Sequence, residues 1–421
     1  MKIHFLGGAY EVGKSAFMVE TRDVNVLLDC GVKINHRTEF PLMHKAKRPH
    51  AIALSHAHLD HSGYIPALFK RNTAPILCTF PTIPLVQLLL EDTLKINEYN
   101  RETPYFSRAQ LRKMLHYFRP LSYHQPYAFH DGSEIQLSDA GHILGSAQIE
   151  FKSREGRVWY TGDLNTVDSV LHSAAAMPKE SCETLITEST YGGRGHPNRK
   201  KLEKTFCNEI RRARDDGFVV LIPAFAIGRT QELVQMLYAN GLADYVYADG
   251  MGTKANEISA EFPSYLRDGK EFAKAYQRIH TIKTKIERKR ILKRGNIILA
   301  TAGMLEGGPM VSHIENVLRT GMKAKLLLTG FQATGTNGRL LMEEGQVRLN
   351  GQTMKWPFEV QFYDFSAHTD QAGLVRHVKK ANPEKVFCVH GDPDQLEEFV
   401  QTLKEEGFNA YAPKNGERIS V

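Results

Sequence analysis

Residues 53–66 read ALSHAHLDHSGYIP, and this stretch holds three histidines and an aspartate: His56, His58, Asp60 and His61. It follows the apolar run AIAL and leads into a turn of small residues, which predicts a loop at the end of a β-strand. So many ligand-type side chains are hard to explain as packing, because each buried imidazole or carboxylate needs its own partner. Alternate side chains on such a loop can point toward two neighbouring metal sites. A polar turn that is simply rich in histidine is the alternative.

Two metal sites need more ligands than one loop supplies, and three further candidates follow other apolar strands. His142 lies in SDAGHILGSA, Asp163 ends VWYTGD and His390 ends KVFCVHG. Each has a glycine nearby, as is typical of ligands on loops at one edge of a sheet. Taken singly, each could be a turn residue. Together with the first four they offer only nitrogen and oxygen atoms, which favours a catalytic dinuclear site over a structural one.

The composition is that of a soluble globular protein. A chain of 421 residues, 42% of them hydrophobic, predicts two or three domains with an ample core. The five scattered cysteines, without a C-x-x-C pair, predict reduced thiols in a cytoplasmic protein. MKIHFLGG reads directly as a strand, so no signal peptide is expected. The run FVVLIPAFAI is too short to span a bilayer, so no membrane partner is expected either.

The pattern of secondary structure changes twice along the chain. The first half reads as short strands with two helices, the second of them capped by Ser107. From about residue 195, helices alternate with buried apolar strands, which indicates a parallel sheet covered on both faces. Near residue 358 the earlier pattern resumes, so we expect one domain inserted into another.

The order of the ligand motifs resembles the metallo-β-lactamase fold, whose hallmark is H-x-H-x-D-H followed by a later His, Asp and His. Two further motifs resemble the β-CASP branch of nucleases that act on RNA and DNA: ITESTYG with Glu188, and FSAHTD with His368. The resemblance covers essentially the whole chain. It is nearest to archaeal and bacterial relatives of the cleavage-and-polyadenylation endonuclease, in the form without RNA-binding KH domains.

The resemblance implies an α/β fold, a metallo-β-lactamase αββα sandwich with an inserted β-CASP domain. The sandwich would comprise residues 1–192 and 358–421. The insertion would comprise residues 193–357, a parallel sheet flanked by helices.

The resemblance also implies two Zn²⁺ ions per chain. One ion would be held by His56, His58 and His142, the other by Asp60, His61 and His390, with Asp163 bridging. A hydroxide between the two ions would attack the RNA phosphodiester.

Three more residues acquire roles from the resemblance. Glu188 would keep His368 protonated as the general acid for the leaving 3′ oxygen. Asp29, which ends NVLLDCG, would orient a loop of ligands, although a strand-end aspartate also caps turns. No role is expected for the remaining histidines, His36 among them.

Single-stranded RNA is the expected partner, and the net charge of +7 permits an acidic one. The basic run TIKTKIERKRILKRG could follow phosphates or be a solvated helix face. Gly-rich loops follow the strands of the inserted domain, at the carboxyl ends of a parallel sheet where ligands tend to bind. Such loops also occur as simple turns. The candidate RNA contacts are Arg229, Lys289, Arg290, Arg339 and Ser366.

The leading function is a zinc-dependent ribonuclease of RNA processing or decay. The alternatives are a small-molecule hydrolase, such as a thioesterase or lactonase, and a non-catalytic RNA-processing scaffold. The long insertion argues against the first alternative, and the complete ligand set argues against the second. Endonuclease and 5′-exonuclease action are not distinguished, and a homodimer is one expected form because relatives of this type are often dimers.

Overall fold

The computed structural model describes residues 1–34 and 37–421, so His36 lies outside the described residues. The chain divides into two compact units. The first comprises residues 1–168, 174–195 and 368–421, and the second comprises residues 169–173 and 196–367.

β-Strands occur along the whole described chain and are numbered in chain order. The first unit contains β1 (Lys2–Gly7), β2 (Ala16–Glu20), β3 (Asn25–Leu28), β4 (Lys33–Ile34), β5 (Thr38–Glu39), β6 (Ala51–Ala53), β7 (Ile76–Cys78), β8 (Phe118–Pro120), β9 (Tyr127–Ala128), β10 (Glu134–Asp139), β11 (Ala147–Ser153), β12 (Gly156–Tyr160) and β13 (Thr184–Glu188). The second unit contains β14 (Val219–Pro223), β15 (Val246–Asp249), β16 (His280–Thr281), β17 (Ile297–Ala300), β18 (Ala324–Leu328), β19 (Gln346–Leu349), β20 (Gln352–Lys355) and β21 (Val360–Phe362). The chain returns to the first unit with β22 (Lys385–Val389), β23 (Ala410–Tyr411) and β24 (Arg418–Ser420).

The α-helices are numbered in the same way. Those before the second unit are α1 (Leu59–Ser62), α2 (Ile65–Leu68), α3 (Thr82–Asn100) and α4 (Arg108–Leu115). The second unit contains α5 (Arg199–Asp215), α6 (Arg229–Ala239), α7 (Met251–Glu261), α8 (Gly269–Arg278), α9 (Lys285–Arg290), α10 (Gly308–Thr320) and α11 (Asn337–Glu344). The last two are α12 (Gln371–Ala381) and α13 (Pro393–Glu405). Ser107 caps α4 as predicted, because its hydroxyl accepts the amide proton of Gln110.

Two mixed seven-stranded sheets form the first unit. Their strand orders are β24-β1-β2-β3-β6-β7-β8 and β23-β22-β13-β12-β11-β10-β9. The apolar faces of the two sheets pack together: the ring centroids of Phe5 and Phe387 lie 5.1 Å apart, and those of Phe17 and Tyr160 lie 5.4 Å apart. Helices α12 and α13 pack their apolar side chains against the second sheet. The residues predicted for metal binding and catalysis lie at the ends of β3, β6, β10, β12, β13 and β22 or in the segments directly after them, except His368, which lies between β21 and α12.

One six-stranded parallel sheet forms the centre of the second unit, in the order β16-β15-β17-β14-β18-β21. Strands β14, β17 and β18 are buried and, apart from Lys325, apolar, as a sheet covered on both faces requires. Met310, Ile314 and Val317 of α10 pack against them. The predicted α/β class with a parallel inserted sheet is confirmed.

The strand β21 was placed in the first domain by the sequence, but its hydrogen bonds go to β18 of the second unit. Residues 358–367 therefore belong with the inserted sheet. The short segment 169–173 also joins the second unit, because Arg267 donates its main-chain amide to Leu171 and its guanidinium to Ser169.

All five cysteines are buried free thiols, in agreement with the sequence. Within residues 1–34 and 37–421, none of the helices combines the length and the apolar character that a membrane span requires.

Candidate metal centre

The seven predicted ligands converge at one edge of the first unit, although they come from four separate segments of the chain. Their ligand atoms form two groups, each with its members within 4.8 Å of one another. The first group is His56, His58, His142 and Asp163, and the second is Asp60, His61 and His390.

The first group is a close set of three imidazoles and one carboxylate. Nδ1 of His58 lies 3.2 Å from Nε2 of His56 and 3.2 Å from Nε2 of His142. Oδ2 of Asp163 lies 3.5 Å from Nε2 of His56 and 3.6 Å from Nε2 of His142. Burial lowers the pKa of His56 and of His58, so both imidazoles are neutral at pH 7 and present lone pairs.

The second group uses the other oxygen of the same aspartate. Oδ1 of Asp163 lies 3.3 Å from Nε2 of His61 and 3.4 Å from Nδ1 of His390. Oδ2 of Asp60 lies 3.3 Å from Nε2 of His390 and 3.8 Å from Nε2 of His61. Asp163 therefore faces both groups, with one oxygen turned toward each.

The second group also lacks a partner for two buried atoms. Among the described residues, neither Asp163 Oδ1 nor His61 Nε2 has a hydrogen bond. His61 donates Nδ1–H to Asp29 at 2.7 Å, so its Nε2 presents a lone pair to carboxylate oxygens. Acceptors that face one another in the interior need a proton or a cation between them. Burial lowers the pKa of His61, but Asp163 and Asp60 outweigh it and raise the pKa well above its usual value. The residues therefore fit a bound cation.

Asp29 lies behind the ligands and is fully buried. Its carboxylate accepts hydrogen bonds of 2.7 Å from Nδ1 of His61, from the hydroxyl of Tyr160, and from both the amide and the hydroxyl of Ser55. Because the Ser55 hydroxyl donates to Asp29, it accepts from Nδ1 of His56, 3.0 Å away. Asp29 thus contacts one histidine directly and a second one through Ser55.

Ser55, Tyr160 and Thr190 were missed by the sequence analysis. The Thr190 hydroxyl donates to the carbonyl of His390 and lies 3.2 Å from its Nδ1, so it accepts a hydrogen bond from Nδ1–H. Ser55 directly precedes His56, and Thr190 lies inside the ESTYG motif, so both positions carried a local signal. The sequence around Tyr160 gave little indication of its role, because its hydroxyl reaches Asp29 from the facing sheet.

Glu188 and His368 form a pair beside the first group. Nδ1 of His368 lies 3.0 and 2.9 Å from the two carboxylate oxygens of Glu188, which is itself buried. Glu188 also accepts the amide of Leu164 at 2.5 Å. Nε2 of His368 lies 3.9 Å from Oδ2 of Asp163, so the far side of this ring faces the ligand cluster.

Three of the five candidate RNA contacts are engaged in other interactions of the second unit. Arg229 is buried at the start of α6 and forms an ion pair with Glu232. Arg339 is partly exposed and pairs with Glu343 at 2.7 Å. The carbonyl of Ser366 accepts a hydrogen bond from the side chain of a neighbouring arginine at 3.4 Å.

The other two candidates, Lys289 and Arg290, are exposed on α9. The same helix is anchored by Arg288, whose guanidinium binds Asp249 at 2.5 and 2.9 Å. Thr284 and Glu287 form a capping box at its start. The basic run is therefore a short capped helix attached to the carboxyl end of β15.

Three domain families match the chain. The metallo-β-lactamase superfamily domain matches residues 18–190, and the Beta-Casp domain matches residues 230–341. The Zn-dependent metallo-hydrolase RNA specificity domain matches residues 354–413.

Whole-length relatives and a solved structure agree with these matches. The chain is 35% identical to "Probable RNase MJ4" of Methanocaldococcus jannaschii, over 100% of both proteins. It is 33% identical to "RNase aCSPSF2" of Saccharolobus solfataricus, over 100% of this chain and 85% of that protein. It is also 33% identical to "Transcription termination factor FttA" of M. jannaschii, over 100% of this chain and 72% of that protein. A crystal structure of a protein of unknown function from Enterococcus faecalis has the same fold, with a TM-score of 0.62 at 13% identity and coverage of 100% and 99%. The chain belongs to the β-CASP branch of the metallo-β-lactamase superfamily, a family of metal-dependent hydrolases.

Proposed function

We propose that this protein is a ribonuclease that hydrolyses single-stranded RNA with two zinc ions held around Asp163. The observation that carries the proposal is the position of Asp163, whose two oxygens face two separate groups of ligands at 3.3 to 3.6 Å. The names of the relatives and the RNA specificity domain support RNA as the substrate.

The spacing within the first group supports zinc. Zinc bonds to nitrogen and oxygen are about 2.0–2.1 Å long, which places neighbouring ligands of a tetrahedral site about 3.3–3.4 Å apart. Four of the six distances between ligand atoms of His56, His58, His142 and Asp163 are 3.2 to 3.6 Å, and all six are within 4.8 Å. Asp60, His61 and His390, with the second oxygen of Asp163, would hold the other ion.

Elemental analysis of the purified active protein tests the metal content. We expect two zinc ions per chain, and about one in a His390→Ala variant, because that change removes a ligand of the second group only. Active protein with a single ion would contradict the dinuclear site. Two ions of manganese or iron would contradict zinc but not the site, since nitrogen and oxygen ligands accept these metals as well.

The chemistry divides between the ions and the side chains. Two bound divalent ions lower the pKa of water and stabilise negative charge on a phosphodiester. Glu188 accepts Nδ1–H of His368 and so keeps the imidazole positively charged. His368 then donates the proton on Nε2 to the leaving 3′ oxygen, which yields a 3′ hydroxyl and a 5′ phosphate. Asp29 directs Nε2 of His61 and, through Ser55, Nε2 of His56 toward the ligand groups.

The substrate is tested by offering the metal-loaded protein labelled single-stranded RNA beside a generic thioester and a lactone. We expect hydrolysis of the RNA only, and its loss in Asp163→Ala. Hydrolysis of the thioester or lactone alone would establish a small-molecule hydrolase. RNA binding without hydrolysis of any substrate by protein with a full metal content would establish a scaffold.

A second digest addresses the mode of cleavage. Circular RNA is cut by an endonuclease only, whereas a 5′-exonuclease distinguishes 5′-monophosphate from 5′-triphosphate ends. We further propose, on the family resemblance, a cytoplasmic homodimer. Light scattering of the full chain in solution tests its oligomeric state.

A further inference from the structure

Two exposed phenylalanines lie at the carboxyl edge of the parallel sheet in the second unit. Phe225 follows β14 and Phe331 follows β18, and these two strands are neighbours in the sheet. Their exposed fractions are 36% and 54%. An exposed phenylalanine contributes little burial to the stability of the fold, so two of them on the loops after neighbouring strands point to a ligand.

The loops that carry the two rings are tightly connected. A Cβ atom on Gly303 would lie 3.2 Å from Cδ2 of Phe225, and one on Gly330 would lie 3.3 Å from its Cε2. The Phe225 ring therefore rests on backbone that has no side chains of its own. The buried Gln332 donates from its Nε2 to the carbonyls of Gly303 and Gly330, at 3.1 and 3.0 Å. The Thr329 hydroxyl donates to the carbonyl of Pro223 at 3.0 Å, which connects the ends of β18 and β14.

The charge of this unit indicates what the rings bind. Residues 196–367 hold eight more Lys and Arg than Asp and Glu, so the remainder of the chain has almost no net charge. The loop sequences AFAIGR and TGFQATGTNGR contain no acidic residue. The positive charge near the rings comes from the unit as a whole, because the arginines that end these loops pair with Glu232 and Glu343. Exposed aromatic rings on a basic surface are the combination that binds single-stranded nucleic acid, through stacked bases and neutralised phosphates.

We propose that Phe225 and Phe331 form a stacking platform for unpaired bases of single-stranded RNA. This inference rests on the proposed function, to which it adds a binding site within the second unit. The platform accepts any base, because every base has a π face, and it excludes double-stranded RNA, whose bases are already stacked.

The test measures the affinity of the metal-loaded full chain for cleavage-resistant 2′-O-methyl oligoadenylate and for an abasic strand of the same length. Phe225→Ala and Phe331→Ala should each weaken binding of the oligoadenylate by about 5- to 150-fold, the range found for stacked bases. Binding of the abasic strand should not change. The salt dependence of binding should keep its slope, because a lost ring contact releases no counterions. Phe331→Tyr should bind as the wild type does.

Tyr245→Ala is the matched control, since Tyr245 is 42% exposed but directly precedes β15, at the amino end of a strand of the same sheet. Phe225→Leu and Phe331→Leu keep apolar bulk and fold, and they should lose affinity as the alanine variants do. Unchanged affinity for the oligoadenylate in the Ala and Leu variants of both Phe225 and Phe331 would overturn the platform. This is the result expected if the rings bind a protein partner. An equal loss on the abasic strand would overturn it as well. A wild-type protein that neither binds nor cleaves RNA would refute the proposed function itself, which is a distinct result.

Discussion

Both carboxylate oxygens of Glu188 face one nitrogen of His368, with Oε1 and Oε2 at 3.0 and 2.9 Å from Nδ1. Burial by itself lowers the pKa of His368, but the negative charges of Glu188 and Asp163 outweigh burial and raise the pKa to about 9. A histidine with this pKa is protonated throughout the neutral range. It can therefore donate a proton from Nε2 at a pH where an ordinary histidine is mostly neutral.

The first prediction concerns Glu188→Gln. The amide still accepts the proton of Leu164, but it carries no charge, so the pKa of His368 falls. A general acid works only while protonated, so the rate declines as the pH rises through its pKa. The pH profile of kcat/KM should decline at a higher pH for the wild type than for the variant, because the charge of Glu188 raises the pKa of His368. The two rates should converge in acid. Glu183→Gln, an exposed glutamate near the start of β13, is the control. Identical profiles for wild type and Glu188→Gln would refute the pairing.

The second prediction separates the proton donor from the ligands. His368→Ala should keep both metal ions and nearly full RNA affinity, and its cleavage rate should fall by about 10²–10⁴, the usual contribution of a positioned acid. A 3′-bridging phosphorothiolate substrate has a leaving group that needs no proton, so it should restore much of the lost rate.

His390→Ala provides the comparison for that experiment. It should lose metal along with activity, and the phosphorothiolate should restore little of its rate. If His368→Ala binds RNA normally and the phosphorothiolate gives no recovery, the general acid is a different group.

The clustering of the candidate ligands could be predicted from the sequence because each of their segments follows a predicted strand. His56 and His58 lie in the loop after β6, Asp60 and His61 lie in α1 directly after that loop, and His142, Asp163 and His390 each follow another strand. The partners of these residues were not readable. The Tyr160 hydroxyl reaches Asp29 across 131 residues of chain, and that contact exists only because the two sheets pack face to face. Local pattern predicts which residues end a strand, but not which residue of the facing sheet lies behind them.

In the inserted sheet, too, the sequence predicts the buried strands but not every contact between them. The alternation of helix and apolar strand correctly predicts parallel strands between residues 219 and 328, since their burial on both faces dictates their composition. The strand β21 is short and amphipathic, so its sequence does not indicate whether it pairs with β18 or with the first unit. The pairing of Arg229 with Glu232 follows from the start of α6, where the two side chains lie one turn apart.

The third prediction concerns Asp29→Asn. An amide carries no charge and can accept from fewer donors than a carboxylate, so the tautomer and the orientation of His61 are no longer enforced. Metal affinity should fall by about 10- to 100-fold, as is usual when a partner of a ligating histidine is changed. Tyr160→Phe is the matched control. It removes one donor to Asp29 but leaves the hydrogen bond between Asp29 and His61, so its metal affinity should fall less than that of Asp29→Asn. Competition with a chelator measures both affinities. An Asn variant that holds metal as tightly as the wild type would show that Asp29 serves only to cap the turn after β3.

The last prediction concerns the basic helix α9. Its anchor, the ion pair of Arg288 with Asp249, leaves Lys289 and Arg290 exposed, and Lys293 is exposed beyond the end of the helix. If these side chains contact phosphates, each contact releases condensed counterions. Changing Lys289, Arg290 and Lys293 to Gln should then flatten the plot of log affinity against log salt by roughly 0.7 per lost contact on a single strand.

Because the effect is electrostatic, affinity should fall most at low salt and approach that of the wild type at high salt. A variant with Lys200→Gln and Lys204→Gln, two exposed lysines on α5, is the control for a general loss of positive charge. A slope that does not change in the triple variant would show that α9 is a solvated face. An equal change per charge in both variants would mean that the net charge of the unit attracts RNA without a defined contact at α9. The effect expected for a specific contact is a larger change in slope per charge removed from α9 than from α5.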